Sequence, residues 1–246
     1  MRPGVPRDPT FMPGSEGASI WSALSIGARM GHEEYYNAFA DSPSFAMDTR
    51  IGWLINLADM AEVQEDLRGG GNWETQRVTS LFGFAVKYPE LKRSRVWMEQ
   101  GWTAIQANAL ETVYPDGPLR ESSINYHNLC MGRFAGMIEK ARTLGLAVPP
   151  AFEERVERMY DFVMYATLPD GSLPIWGDTN PPFGSSLLAR GAELFDRALL
   201  ECQRARESIA ARDPEGKGRA IGKVLEIVSE LDVALDHAAA PELAAN

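Results

Sequence analysis

Histidine is scarce in this chain. His32, His127 and His237 are the only three, and none shares the spacing of an HExxH helix with another, so the sequence offers no multi-histidine metal site. Cysteine is scarcer still. Cys130 and Cys202 stand far apart in apolar helical patterns, which reads as two buried thiols and excludes a disulfide framework. No stretch reaches 18 apolar residues, so no membrane span is expected. Basic charge is in deficit: 24 Lys and Arg face 34 Asp and Glu, for a formal net charge of −10. A field of that sign excludes nonspecific binding to nucleic acid, and an anionic ligand would need a local basic pocket. Alternating strand patterns are missing too, so no sheet is expected. The first residues, MRPGVPRDPTFMPGSEGASI, are rich in Pro and Gly and lack an apolar h-region. They read as a flexible lead-in over 1–19, not a signal peptide, and the chain as it stands is expected in the cytoplasm. That composition also fits a chain whose natural beginning lies upstream.

What is present is helical periodicity. MDTRIGWLINLADMAEVQEDL places Ile51, Leu54, Ile55, Ala58, Ala61 and Val63 near one face. Gly69, Gly70 and Gly71 end that helix. NWETQRVTSLFGFAVKY follows, with Asn72 placed as its N-cap and Pro89 as its stop. A third helix runs from Leu91 to Tyr114 and ends in YPDG. A fourth opens at Glu121 and closes at Gly145 and Pro149–Pro150. A fifth, AFEERVERMYDFVMYATL, ends in PDGSLP. Long helices joined by short turns predict antiparallel helical hairpins. The tripeptide Pro-Asp-Gly recurs at Pro115–Gly117 and Pro169–Gly171, either as a common turn or as the mark of a repeated helix pair.

After IWGDTNPPFGSS the texture changes. All six Trp and all seven Tyr lie in 1–182, none in 183–246. In the second part Leu194, Ala198, Cys202, Ala205 and Ile209 form one stripe, and Ile221, Val224, Leu225, Val228, Leu231 and Leu235 another. Asp213 and Pro214 suit a helix start. This is an amphipathic helical hairpin, too small to fold alone, so it must pack on something else.

The run DGPLRESSINYHN puts Glu121, Ser122, Ser123, Asn125, Tyr126, His127 and Asn128 at one helix opening. Taken alone, it reads as a capped, solvated start with Tyr126 in the core. However, residues 69–180 resemble the helical toroid domain of heparinase II/III-like and alginate-lyase-like polysaccharide lyases. The residues that carry the resemblance are GGNWETQ, KYPELKRSRVWMEQGW, VYPDGPLRESSINYH and PDGSLPIWGDTN, with Asn72 and Tyr126 separated by 54 positions. The resemblance implies an all-α partial (α/α) toroid and β-elimination on an anionic, uronic-acid-containing polysaccharide or oligosaccharide, with no cofactor. It implies Asn72, Tyr126 and His127 as catalytic residues, with Asn72 on the substrate carboxylate and Tyr126 as base and acid. Glu121, Arg120, Arg77, Trp73, Trp176 and Asp178 are implied as substrate-binding. A tyrosine with a pKa near ~10 needs a cationic or hydrogen-bonding environment to act as a base at neutral pH, and His127, Arg120 and Arg77 are the candidates to supply it. Two departures stand out. Trp73 follows Asn72 where the family often has His, and the chain lacks the family's further toroid helices and β-sandwich domain.

The helix lengths make a geometric expectation. Helices of about 26 Å (72–88) and about 36 Å (91–114) run out and back, which predicts Asn72 and Tyr126 at one end. Their side chains are then expected within about 10 Å in a cleft floored by Trp73 or Trp176.

The tail, ELFDRALLECQRARESIAARDPEGKGRAIGKVLEIVSELDVALDHAAAPELAAN, resembles the central helices of flagellin-specific export chaperones, which implies a flagellin-like helical segment as a partner. The chain therefore divides into a lead-in (1–19), a lyase-like toroid segment (20–182) and a chaperone-like hairpin (183–246), joined near Pro181–Ser186. The join is a natural fusion, a mis-joined reading frame or an artificial assembly, and the alternatives to a lyase are a helical binding module or an inert fusion.

Overall fold

The computed structural model describes residues 22–31, 42–43, 45–168, 171–179 and 185–195. Seven helices are described: α1 (Ala23–Gly31), α2 (Met47–Asp66), α3 (Gly71–Lys87), α4 (Ser94–Thr112), α5 (Ile124–Thr143), α6 (Pro150–Ala166) and α7 (Ser185–Phe195). Among the described residues there is no strand, only an isolated antiparallel bridge between Val113 and Leu119. None of these helices is long and apolar enough to cross a membrane. The chain divides into two compact units, residues 1–112 and 113–246.

The first unit is organised by α3, which packs on both α1 and α4. An element flanked on two sides needs a wide apolar surface, and α3 buries Val78, Leu81, Phe82, Phe84 and Ala85. Glycines let its neighbours come close. A Cβ on Gly27 would lie 2.9 Å from the Gln76 side chain, and one on Gly101 would lie 2.8 Å from the Phe82 Cβ. The core gathers Ile26 and Met30, Leu57 and Ala61, Leu81 and Phe84, and Trp97. Burying such side chains contributes about 1.5–3 kcal/mol each. Polar side chains cross this core: Gln64 donates to the Ala23 carbonyl at 2.9 Å, and Ser80 donates to the Gly27 carbonyl at 2.8 Å. The Trp97 indole donates to Glu65, which also pairs with Arg93. The predicted stripe on α2 needs one correction. Leu57, Ala61 and Gln64 are buried with Leu54, Ala58 and Val63 against them, whereas Ile51 is 49% exposed near the helix start. The third helix begins at Ser94 instead of Leu91, because residues 88–94 form turns closed by Tyr88 and Leu91 carbonyls.

The second unit packs α5 against α6, with α7 on both. Met131, Phe134, Ile138, Phe152, Val156 and Met159 are buried, and the Phe134 and Phe152 rings meet edge to face at 6.2 Å. Arg190 on α7 grips both carboxylate oxygens of Glu139 on α5 at 2.8 and 3.0 Å. Between α4 and α5 the Pro-Asp-Gly turn is closed by Gly117 N–H to the Tyr114 carbonyl, and Tyr114 N–H binds the Pro118 carbonyl. The second copy of the motif makes the same pair of bonds, Gly171 to Leu168 and Leu168 to Ser172. Gly117 has φ 109, and any Cβ there would run into the Arg158 carbonyl of α6. Only glycine tolerates both conditions. Cys130 is a buried thiol outside any disulfide. His32, Cys202, His237, Asp213 and the two predicted tail stripes beyond Leu194 lie outside the described residues.

Candidate functional site

The fourth helix starts at Ile124, not Glu121. Ser123 is its N-cap and accepts from the Tyr126 N–H at 3.4 Å, while Ser122 holds a left-handed φ of 54 in the turn before it. Glu121 is therefore an exposed turn residue ahead of the helix, and the cap is Ser123. The same Ser123 hydroxyl donates to the Asp178 carbonyl at 2.9 Å and lies 3.3 Å from the Thr179 hydroxyl. One serine thus starts α5 and clamps residues 178–179 to it. Tyr126, in the first turn, then donates its hydroxyl to the Asp178 carboxylate at 3.0 Å.

That contact reverses one expectation. The resemblance implied a cationic environment that would help Tyr126 ionise. Instead, the Asp178 hydrogen bond and charge, then burial, then the charge of Glu121, push the phenol above its ordinary value. The three expected cations are engaged elsewhere. Arg120 lies over the Tyr114 ring at 4.3 Å. Arg77, in the first unit, is 3% exposed, paired with Glu74 and donating to the Gln64 carbonyl at 2.6 Å.

His127 is 1% exposed. Its Nδ1 accepts from the Leu119 N–H at 3.3 Å, and its Nε2 lies 3.2 Å from the Met159 carbonyl. A carbonyl can only accept, so the Nε2 carries the proton and the ring is neutral. Burial pushes its pKa down to about 4, against a smaller upward pull from the Met159 carbonyl. The imidazole fastens the turn after α4 to α6. It lines, with Tyr114, Leu119, Ser123, Phe162 and Trp176, a cleft of roughly 310 Å³. Trp176 is 50% exposed and its ring lies 6.4 Å from that of Phe162.

The opening of α3 is built differently. Its N-cap is Gly70, not Asn72, and Gly71 adopts φ 54. Glu74 reaches back past it: its carboxylate accepts from the Gly69 N–H at 2.7 Å and from Arg77. Thr75 donates to the Asn108 side chain at 2.6 Å, and Asn108 donates to the Gly71 carbonyl at 3.2 Å. Asn72 and Trp73 are half-buried in this first turn. Asn72, Trp73 and Arg77 thus belong to the first unit, and Tyr126, His127, Arg120, Glu121, Trp176 and Asp178 to the second. Within the second unit the structure joins Tyr126 to Asp178 and places His127 and Trp176 along one cleft. Sequence reasoning gave no role to Ser123 beyond the polar run, and none to Thr179, Asn108 or Phe162. The Ser-x-x start before an apolar helix was the readable signal for Ser123. Among the described residues no group of three His, Cys, Asp or Glu is arranged to hold a metal.

Known proteins resemble this chain in two blocks. The family model described as heparinase II/III N-terminus matches residues 6–195, and that of the flagellar protein FliS matches residues 192–246. The heparin-sulfate lyase of Pedobacter heparinus is 26% identical over 186 residues, covering 72% of this chain. The chain spans only 28% of the length of that relative. The crystal structure of heparinase III superposes with a TM-score of 0.71 at 22% identity, covering 81% of this chain and 33% of that one. The heparan sulfate lyase HepC from Pedobacter heparinus gives a TM-score of 0.60 at 21% identity, covering 78% of this chain and 31% of that one. These likenesses show the fold class, all-α and of the (α/α) toroid type.

Proposed function

The chain belongs to the heparinase II/III N-terminus family, and from that premise we propose that it is the helical part of a lyase that cleaves uronic-acid-containing polysaccharide by β-elimination. The proton to be removed sits on C5, next to a carboxylate, where it is barely acidic. Removing it requires a donor on that carboxylate to stabilise charge in the enolate-like state, and a group to move protons. We assign the first role to the Asn72 amide and the second to Tyr126. Trp176 and Tyr114 offer faces for sugar rings along the cleft, and His127 holds the turn that shapes it. The observation that carries this reading is Tyr126 in the first turn of α5, its hydroxyl fixed by Asp178, on the helix whose Ser123, Ile124 and His127 line the cleft. Heparan sulfate is the favoured substrate, since the relatives are named for it. The test is incubation with heparan sulfate, alginate and hyaluronan while following absorbance of the C4=C5 double bond. Product from heparan sulfate is expected, and no product from any of the three would remove the reading.

A second reading belongs to the tail. The FliS match over 192–246 supports a helical binding module for a flagellin-type segment. Calorimetry with a flagellin C-terminal peptide is expected to give a saturable heat, and its absence would remove this reading.

A further inference from the structure

A tyrosine bonded to a carboxylate is a poor free base, because its ionised form would face a second negative charge. The geometry around Tyr126 offers a way past this. Asp178 is 52 positions away in sequence and yet 3.0 Å from the hydroxyl. Its backbone is held on both sides of the contact. The Ser123 hydroxyl binds the Asp178 carbonyl and touches Thr179, and Thr179 in turn donates to the Trp176 carbonyl. Gly177, at φ 61, lets the segment come so close that a Cβ there would lie 2.9 Å from the Ser122 carbonyl. The carboxylate is thus delivered to Tyr126 by the residue that caps the helix carrying Tyr126.

We propose that Asp178 is a positioning residue that acts through Tyr126 as its proton acceptor during elimination, an inference that rests on the lyase reading above. As the Tyr126 oxygen takes the C5 proton, its own proton passes to the Asp178 carboxylate. The C5–H electron pair becomes the C4=C5 double bond, and the C4–O bond breaks with its pair on the leaving glycosidic oxygen. That oxygen takes a proton from Tyr126, and Asp178 returns its proton to Tyr126. Bonds and protons balance, and no co-reactant is needed. Tyr126 never stands as a free tyrosinate, so its raised pKa is no obstacle. The charged groups acting on the hydroxyl are Asp178 and Glu121, while the buried His127 is neutral and Arg120 is engaged with Tyr114.

The experiment compares wild type, D178N, D178E and Y126F by steady-state kinetics across pH. In parallel, tyrosine carrying ¹³C at Cζ is titrated by NMR, with the Tyr126 signal assigned by its loss in Y126F. D178N keeps the shape of the side chain and the backbone bonds. It is expected to lower kcat about 100-fold with KM changed less than about threefold, and to abolish the acid limb of the pH profile. The Tyr126 signal is expected to titrate at lower pH in D178N than in wild type, and D178E is expected to regain at least about a tenth of the lost kcat. A D178N enzyme within about twofold of wild type, with an unchanged pH profile, would overturn the relay while leaving the lyase reading intact. An unshifted Tyr126 titration in D178N would overturn the pair itself. An inert wild type would overturn the lyase reading and the relay's chemistry with it. The NMR titration needs no substrate, so it separates that failure from failure of the pair.

Discussion

At the opening of α3, the described polar bonds close on one another. Glu74 reaches back to the Gly69 N–H and sideways to Arg77, Arg77 reaches the Gln64 carbonyl, and Thr75 and Asn108 tie down the Gly71 carbonyl. At the opening of α5 the polar side chains divide. Ser123 caps, His127 turns inward to two backbone groups, and Tyr126 reaches a carboxylate from a distant segment. Both openings looked alike in sequence, as polar runs before an apolar helix. The difference teaches that a polar helix start is first used to satisfy backbone groups that would otherwise be buried unpaired. Residues left over from that task are the ones to examine for chemistry. In the second unit Tyr126 is such a residue.

The comparison breaks first at Tyr126 itself. Y126F removes only a hydroxyl, so the fold is expected to melt as wild type does. Lyase turnover is expected to fall about 1,000-fold or more, within the range for a general acid and base. Turnover within tenfold of wild type would return Tyr126 to the role of a packing residue. The next effect lies in the first unit. Arg77 was implied as a substrate contact, but its buried pairing makes it structural. R77M is expected to cost about 3 kcal/mol in urea unfolding, because Glu74 and the Gln64 carbonyl lose their partner. A stable R77M with a raised KM would reverse that assignment.

His127 sharpens the contrast by its pH dependence. Its folded pKa, about 4, lies below its ordinary 6.5. The folded state therefore resists protonation. Stability is complete above pH 6.5 and is lost as pH falls from 6.5 towards 4, by at most about 3 kcal/mol. H127Q is expected to be less stable at pH 7 by about 1–3 kcal/mol and to lose the pH dependence in that window. A wild-type unfolding curve that is flat from pH 7 to pH 4 would contradict a buried, neutral His127. The smallest effect belongs to Arg120, exposed over Tyr114. R120A is expected to change stability by no more than about 0.5–1 kcal/mol, read from the urea midpoint.

The helices were legible because their apolar periodicity and their punctuation agreed. The glycine run Gly69–Gly71 at the start of α3, Pro89 after it, the Pro-Asp-Gly turns and Gly145 after α5 all fall at element ends. The starts were less legible. Asn72 read as a cap and Glu121 as a helix opening, but Gly70 and Ser123 hold the cap positions, since several polar residues in a row compete for one task. The partners of His127 were hidden. They are backbone groups of Leu119 and Met159, and backbone groups carry no residue-specific signal. The partner of Tyr126 was named in sequence as a substrate contact, because 52 intervening positions conceal that Ser123 draws Asp178 back to α5.

The central claim is that Tyr126 moves the proton of a bound uronate and that Asp178 acts through it. A double-mutant cycle on heparan sulfate cleavage, comparing D178N, Y126F and the pair, tests it most directly. Residues that act as one unit give non-additive losses. The account predicts that adding D178N to Y126F lowers kcat/KM by no more than about threefold beyond Y126F alone, although D178N by itself costs about 100-fold. Losses that multiply in full, or a D178N enzyme with wild-type kcat/KM, would contradict it.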